Sequence, residues 1–220
     1  STFKSIIADY PKFKETSLYG RYINSEHILP LLENLEKPFQ LDKIGTSNLG
    51  EDIFSIKIGF GKTKILMWSQ MHGNESTTTK AVFDLLNAFL IYKNELFIKE
   101  ILENCSLFIV PILNPDGARS YTRVNANEVD LNRDAKELKQ IESTILRAAF
   151  DQFQPDFCFN LHDQRSIFSA GETEFPATLS FLTPSMDAER SIKPSREVSM
   201  KLIAAINNKI SEYIPNQIGR

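Results

Sequence analysis

Hydrophobic residues along the chain fall into short continuous runs separated by longer stretches with helical spacing. Residues 65–68, 106–112 and 156–161 are apolar runs of the length expected for strands buried on both faces, as in parallel sheets. Between and after these runs, apolar residues recur every three or four positions, which predicts amphipathic helices. The clearest helical patterns lie within residues 77–90, 138–153 and 198–210. The chain therefore alternates strands and helices, as α/β proteins do.

Two further strands are predicted ahead of the first apolar run, at residues 39–46 and 53–60. In the second of these, apolar and polar residues alternate, which is typical of a half-buried antiparallel strand. The predicted fold class is α/β, with a mixed, mostly parallel central sheet flanked by helices and an antiparallel edge. We assign residues 1–38 to an N-terminal helical and loop segment and residues 39–220 to one α/β domain, which we expect to lack its C-terminal part.

Composition excludes several classes of protein. The chain of 220 residues has a net charge of -3 and dispersed basic residues, so nucleic acid is not an expected partner. Its apolar runs are too short to cross a membrane, and its first residues lack a signal-peptide core. Cys105 and Cys158 lie in or beside apolar runs, which favours buried free thiols in a reducing compartment and a cytoplasmic location. Because the chain begins with Ser1 and not with Met, we expect that a preceding segment was removed, and a lost leader stays open as an alternative to the cytoplasmic location.

Polar side chains follow the predicted parallel strands where each strand ends. His72 and Glu75 follow the first strand and His162 follows the third. Because the carboxyl ends of parallel strands share one edge of a sheet, these three side chains are expected to meet. Two imidazoles and one carboxylate form a catalytic zinc arrangement that leaves one position for water. The alternative is a simple hydrogen-bonded pair of His72 and Glu75 beside a helix start, with His162 as a core histidine.

A long polar segment between the second and third parallel strands, residues 118–134, is rich in charged and amide side chains. Loops of this length inside a compact domain are usually functional. The segment contains Arg123, Asp130, Asn132 and Arg133.

Four motifs together resemble the zinc carboxypeptidases of the funnelin type. They are HGNE at residues 72–75, NPDG at 114–117, VDLNRD at 129–134 and NLH at 160–162. Their order and approximate spacing resemble that family from about residue 50 to the end of the chain. The resemblance implies zinc bound by His72, Glu75 and His162. It also implies removal of C-terminal residues from peptides by metal-activated water.

The resemblance also implies roles for residues of the polar segment. Arg123 would stabilise the oxyanion, and Asn132 and Arg133 would bind the terminal carboxylate of the substrate. Asp130 would orient His72 by bonding to the ring nitrogen that does not bind the metal. The chemistry is consistent, since a guanidinium pairs with a carboxylate through two parallel hydrogen bonds and metal-bound imidazoles usually donate their second N–H to an oxygen.

Two features of the family are without a match in this sequence: the general-base glutamate and the substrate-capping tyrosine that precedes it. Neither is recognisable after His162, where the glutamates occupy loops or the last helical region at Glu172, Glu174, Glu189, Glu197 and Glu212. We therefore expect a piece of a longer protein that binds metal and turns over substrate poorly by itself.

Two alternative functions remain open at this stage. One is a zinc-dependent deacylase of N-acyl amino acids, similar to aspartoacylase and succinylglutamate desuccinylase, which the 90-residue interval from His72 to His162 favours. The other is a non-catalytic metal-binding relative. The NPDG motif favours the peptidase. The sequence does not indicate an oligomeric state.

Overall fold

The computed structural model describes residues 3–165, 167–185 and 187–219. It divides into two compact units, Ser1–Asp163 and Gln164–Arg220, which we treat one at a time. The proposed division between residues 38 and 39 stays a prediction.

The first unit contains five strands and eight helices within its described residues. The strands are β1 (Gln40–Thr46), β2 (Asp52–Ile58), β3 (Thr63–Trp68), β4 (Cys105–Val110) and β5 (Phe157–Asn160). The helices are α1 (Phe3–Ala8), α2 (Tyr10–Phe13), α3 (Ser25–Glu33), α4 (Thr77–Ile91), α5 (Leu96–Asn104), α6 (Pro115–Ser120), α7 (Leu131–Asp134) and α8 (Ile141–Phe153).

The strands form one sheet in the order β1-β2-β4-β3-β5. β1 pairs with β2 and β2 pairs with β4 in antiparallel fashion, whereas β3 is parallel to both of its neighbours, β4 and β5. The α/β class, the parallel strands and the antiparallel edge are thus confirmed. Since helical crossovers join the three parallel strands, their carboxyl ends point towards the same edge of the sheet.

Side chains of β4 alternate between two hydrophobic cores, one on each face of the sheet. Leu107 and Ile109 belong to a larger core that also contains buried residues of α3, α4 and α5. Phe108 and Val110 belong to a smaller core that includes Leu131 of α7 and residues of α8. Burial on both faces explains the continuous apolar composition of this strand.

β2 differs from its predicted half-buried character. The strand ends at Ile58, and Phe60 lies beyond it with 79% of its surface exposed. Ile53 and Ile56 are both fully buried, although they belong to different cores. The alternation in the sequence suggested one solvent-facing side, but the smaller core with α8 covers that side as well.

The N-terminal segment packs on α4 through polar contacts. The Tyr10 hydroxyl donates to Asp84 at 2.9 Å, and the backbone N–H of Glu15 donates to the same carboxylate at 2.6 Å. Further along, Asn24 caps α3 in a capping box with His27. His27 therefore has an ordinary structural role at the start of this helix.

The second unit contains a short parallel pair, β6 (Leu179–Ser180) with β7 (Ile218–Gly219), and the helix α9 (Pro194–Ile210). The helix predicted within residues 198–210 is confirmed, while β7 was not predicted. Two residues of strand with little apolar content give too weak a pattern for recognition.

Cys105 and Cys158 are free thiols, as predicted, but neither is fully buried and Cys158 is exposed. None of the helices in the described part of the chain combines the length and apolarity that a bilayer crossing requires.

β3 lies inside the sheet between β4 and β5, and this position predicts how a substitution in it changes stability. Leu66 is fully buried in the smaller core, so Leu66→Ala should lower the free energy of unfolding by roughly 2–5 kcal/mol. The matched control is Leu96→Ala at the start of α5, where the side chain is 77% exposed and the change should stay within about 0.5 kcal/mol. Urea unfolding followed by circular dichroism measures both. Equal losses in the two variants would contradict this account of the core.

Candidate metal centre

Two adjacent parallel strands bring together the side chains predicted to bind metal. β3 pairs with β5 so that Trp68 lies opposite Asn160, and both strands end at this point. His72 follows the first strand by four residues and His162 follows the second by two. Glu75 lies one turn after His72, with its backbone N–H bonded to the His72 carbonyl at 3.0 Å. The three side chains therefore meet at the carboxyl edge of the sheet, as the sequence predicted.

The Glu75 carboxylate lies between the two imidazoles. Its Oε1 is 2.9 Å from Nδ1 of His72, and its Oε2 is 2.7 Å from Nδ1 of His162. One ligand atom from each of the three residues lies within 4.8 Å of the others. The imidazole rings are 4.7 Å apart between centroids. Each residue thus directs a possible ligand atom towards one shared point.

This donor set fits a divalent metal ion. Two nitrogens and one carboxylate oxygen are the ligands of a common class of catalytic zinc site. With bonds of about 2.0–2.2 Å, tetrahedral ligand atoms are separated by roughly 3.3 Å. The observed nitrogen to oxygen distances of 2.9 and 2.7 Å are close to that separation. An ion could therefore replace the direct hydrogen bonds after small side-chain movements.

His72 is held by a second carboxylate on the far side of its ring. Nε2 of His72 lies 3.0 Å from Oδ1 of Asp130, while Nδ1 faces Glu75. The His72 side chain is only 2% exposed, so its ring orientation is fixed by packing as well as by these two contacts. Asp130 is in turn held by the backbone N–H of Asn132, which donates to Oδ1 of Asp130 at 2.9 Å. Through this bond Asp130 caps the start of α7.

The turn that carries His72 is shaped by a buried amide. Gln70 is fully buried in a left-handed conformation, with φ of 45°. Its Nε2 donates to the carbonyls of Ile23 and Gly73, at 2.9 and 2.8 Å, and its Oε1 accepts from the Thr79 hydroxyl at 2.7 Å. The turn between β3 and α4 is thereby bonded to the N-terminal segment and to the helix. Sequence reasoning missed this residue because a glutamine within a turn gives no local signal of burial.

The NPDG motif packs directly against this turn. A Cβ at Gly73 would lie 2.0 Å from the backbone carbon of Gly117, so only glycine fits at this contact. The Asn114 side chain caps α6 through the N–H of Gly117 at 2.9 Å and donates to the carbonyl of Met71 at 3.2 Å. The motif therefore shapes the site without contributing a metal ligand.

Arg123 is the cation beside the cluster. Its Nε donates to Asp130 at 3.1 Å, and its Nη1 lies 3.5 Å from Oε1 of Glu75. Its side chain remains 45% exposed, so part of the guanidinium faces solvent. This places a permanent positive charge at the rim of the site.

The surroundings of Glu75 favour its ionised form. Burial opposes ionisation, but hydrogen bonds and positive charge from His162 and His72 outweigh it and lower the pKa of Glu75 to about 2. The pKa of Asp130 is also lowered: burial again opposes the shift, and hydrogen bonds from His72, Arg123 and the N–H of Asn132 overcome it. Two carboxylates thus remain charged near the imidazoles at neutral pH, which favours a cation in the space between them.

Asn132 and Arg133 lie on the short helix α7, next to Asp130 in the chain. The Asn132 oxygen is 3.5 Å from Nδ2 of Asn160, and a cavity of about 200 Å³ with mainly apolar walls opens beside it. The Arg133 side chain is exposed, and its guanidinium has no ion-pair or hydrogen-bond partner within the described ranges 3–165, 167–185 and 187–219, although its backbone N–H donates to the Asp130 carbonyl at 2.9 Å. Its guanidinium is therefore available to an external anion.

Asp163 also contacts the site, although the sequence analysis assigned no role to it. Its backbone N–H lies 3.3 Å from Oε2 of Glu75, and its carboxylate bonds to the first residues of α4. Ser76 occupies the N-cap position of that helix, but its hydroxyl donates to the carbonyl of Arg21 at 2.8 Å. The only feature of the sequence that could have identified Asp163 is its position directly after the possible ligand His162.

The glutamates that follow His162 all belong to the second unit, and the site described here lies in the first. The residues brought together are the predicted ligands His72, Glu75 and His162, with Asp130 and Arg123 beside them. The group that would transfer protons during catalysis stays unassigned.

Comparison with known proteins identifies the family. The family model described as zinc carboxypeptidase matches residues 30–184, more than half of the chain. The chain belongs to the zinc carboxypeptidase family, as its motifs predicted. Membership of this family implies a metal cofactor, and the cluster around Glu75 is the candidate site for it.

Among curated proteins, a probable carboxypeptidase 2 from Arthroderma benhamiae is 29% identical over 115 residues. The matched part is 51% of this chain and 21% of that protein, so the chain spans only a fraction of the length of this relative. Carboxypeptidase SOL1 from Arabidopsis thaliana is 43% identical over 65 residues, which are 29% of this chain and 13% of that protein.

Among solved structures, the thrombin activatable fibrinolysis inhibitor superposes with a TM-score of 0.68 at 14% identity, covering 97% of this chain and 65% of that one. Carboxypeptidase A from Helicoverpa armigera gives a TM-score of 0.63 at 17% identity, covering 95% and 61%. At these identities the likeness concerns the fold, which is the mixed α/β sheet of carboxypeptidases.

The lowered pKa of Glu75 predicts how acid affects the metal-free protein. A carboxyl whose pKa is about 2 when folded, against an ordinary 4.5, contributes stability above about pH 4.5 that is lost as the pH falls towards 2. Glu75→Gln should therefore reduce the fall in unfolding free energy across this interval. The control is Glu103→Gln, at an exposed position of α5. Urea titrations at several pH values measure the slopes, and identical slopes for Glu75→Gln and the parent would contradict the prediction.

Proposed function

We propose that the protein to which this chain belongs is a zinc-dependent metallocarboxypeptidase that removes C-terminal residues from peptides. The observation that carries the proposal is the convergence of His72, Glu75 and His162 within 4.8 Å in a member of the zinc carboxypeptidase family. Because the chain spans only part of the length of its relatives, the proposal concerns the activity of the full-length protein.

His72, Glu75 and His162 would hold the zinc ion, and Asp130 would keep Nδ1 of His72 directed towards it by bonding to Nε2. When bound, zinc lowers the pKa of water and polarises a substrate carbonyl. The preference for zinc over other divalent ions is supported by the His2Glu donor set.

Arg123 would stabilise the negative charge that develops on the substrate carbonyl oxygen. Its position beside Glu75, at 3.5 Å, and its partial exposure support this role. Electrostatic stabilisation by a preorganised donor is usually worth about 3–4 kcal/mol of transition-state energy. The contacts with Asp130 and Glu75 hold the guanidinium in place before substrate binds.

Arg133 and Asn132 would bind the terminal carboxylate of the peptide. The exposed, unpaired guanidinium of Arg133 in the described structure and its planar shape suit two-pronged pairing with a carboxylate. Asn132 directly precedes Arg133 in α7 and can add an amide donor. An enzyme that recognises a chain end in this way would be an exopeptidase.

Metal binding tests the ligand assignment. We expect about one zinc per chain, and His162→Ala should weaken zinc affinity by at least 10- to 100-fold, since loss of an outer partner already costs that much. The chain offers a matched control in His27→Ala, because His27 serves only the capping box of α3. Chelator competition and elemental analysis measure the effect. Parent-like affinity in His162→Ala would refute the assignment.

Steady-state kinetics of the full-length protein separate the two arginines. Arg123→Ala should lower kcat by roughly 10²- to 10³-fold, because it removes transition-state stabilisation. Arg133→Ala should raise KM by roughly 10- to 100-fold, because it removes a charge-assisted bond to the ground-state carboxylate. The control is Lys57→Ala, which removes a positive charge paired with Asp42 on the sheet. A purely KM effect at Arg123 would contradict its assigned role.

The choice of substrate distinguishes this proposal from deacylation. Peptides with a free C-terminal carboxylate should be cleaved, and the same peptides with an amidated terminus should not. Turnover of N-acyl amino acids without peptide cleavage would refute the carboxypeptidase proposal.

A further inference from the structure

Helix α4 starts immediately after the metal-site turn, and its cap comes from a distant part of the chain. The helix begins at Thr77, two residues after Glu75. Ser76 occupies the N-cap position, but its hydroxyl is directed to the Arg21 carbonyl at 2.8 Å. The first free N–H groups of the helix therefore need another acceptor.

Asp163 supplies this acceptor from the end of β5. Its Oδ1 accepts from the backbone N–H of Thr77 at 2.9 Å and from that of Thr78 at 3.4 Å. Its Oδ2 accepts from the Thr77 hydroxyl at 2.9 Å. A carboxylate at the N-terminus of a 15-residue helix also interacts favourably with the helix dipole.

These bonds link the segments that carry two of the three proposed ligands. Asp163 directly follows His162, and Thr77 lies two residues after Glu75. Two more bonds strengthen the link: the Asp163 N–H lies 3.3 Å from Oε2 of Glu75, and the Thr78 hydroxyl donates to the Leu161 carbonyl at 3.3 Å. The residues on both sides of His162 are therefore bonded to the start of α4 or to Glu75 itself.

His162 needs such support more than His72 does. The His72 side chain is 2% exposed and bonded to Asp130 behind its ring, whereas the His162 side chain is 32% exposed. The only hydrogen bond of the His162 ring with the described part of the chain is the one to Glu75. The backbone next to His162 must therefore fix where its imidazole lies.

We propose that Asp163 is a positioning residue that sets the distance between His162 and Glu75 by capping α4 across the two segments. This inference rests on the proposed zinc site. The carboxylate does not bind the metal in this account. It holds the end of β5 against the helix, so that the third ligand is in place before the ion arrives.

The test compares zinc affinity, measured by chelator competition, in the parent protein and three variants. Asp163→Ala removes every acceptor, and Asp163→Asn keeps an oxygen that can cap the helix. The matched control is Asp156→Ala, at the other end of β5. The Asp156 carboxylate accepts from the backbone N–H of Lys64 in β3 at 2.8 Å. It therefore also links β5 to its neighbouring strand, but at the end that is far from the proposed ligands.

We expect Asp163→Ala to weaken zinc binding by about 10- to 100-fold, the range found for outer partners of metal ligands. Asp163→Asn should stay within about threefold of the parent, because Asn caps helices as well as Asp does. Asp156→Ala should leave zinc affinity unchanged. The intensity of the visible bands of Co(II)-loaded protein gives a second measure, since it decreases when a four-coordinate site opens to water.

Three outcomes would overturn the inference. Parent-like affinity in Asp163→Ala would show that the cap does not position His162. An equal loss in Asp163→Asn would assign the effect to negative charge, and an equal loss in Asp156→Ala would assign it to general loosening of β5. A parent protein that binds no zinc would refute the proposed function as well. A parent that binds zinc with an unaffected Asp163→Ala variant would refute only the positioning role of Asp163.

A milder pair of variants covers the case in which Asp163→Ala does not fold. Thr77 is exposed, so Thr77→Val should fold and remove one bond to Asp163, whereas Thr77→Ser keeps the hydroxyl. Thr77→Val should weaken zinc binding by roughly threefold, about the loss expected for one modest hydrogen bond, and Thr77→Ser should match the parent. Equal affinities in both variants would contradict the positioning role.

Discussion

Parallel pairing of β3 with β5 is the constraint on which the site depends. The register sets Trp68 opposite Asn160, so both strands end at the same level of the sheet. The turns beyond them then have to occupy neighbouring space, and they carry His72 and His162. A slip of one residue would reverse the side on which each strand presents its side chains and would separate the two turns. The hydrophobic cores on both faces of the sheet prevent such a slip.

Around this constraint, the site is held mainly by side-chain bonds to backbone groups. Gln70 holds the His72 turn from inside the protein, Asn114 holds it from the neighbouring loop, and Asp163 joins the His162 turn to α4. Gln70 and Asn114 are fully buried, and buried amides are costly unless they are bonded, so the bonded arrangement of this turn is strongly preferred over alternatives. A preorganised site follows, because the ligands need little further ordering when an ion binds.

The electrostatic pattern agrees with this geometry. Glu75 and Asp130 remain ionised beside two imidazoles, while Arg123 lies at the rim and Arg133 faces solvent. Negative charge is thus concentrated where a cation would bind, and Arg123 places a positive charge at the rim of that cluster. Charges of both signs within one small region are more informative about function than the net charge of -3 for the whole chain.

The sequence by itself determined the fold class, the parallel strands, the family and the three residues that converge, because strand ends and short motifs are local features of the chain. Only the tertiary structure decided which groups support them. Gln70 and Asp163 act on partners that are distant in sequence or hidden in the core, and the far side of β2 is covered by a helix almost ninety residues later. Such contacts depend on how the elements pack, and no pattern of spacing along the chain encodes them.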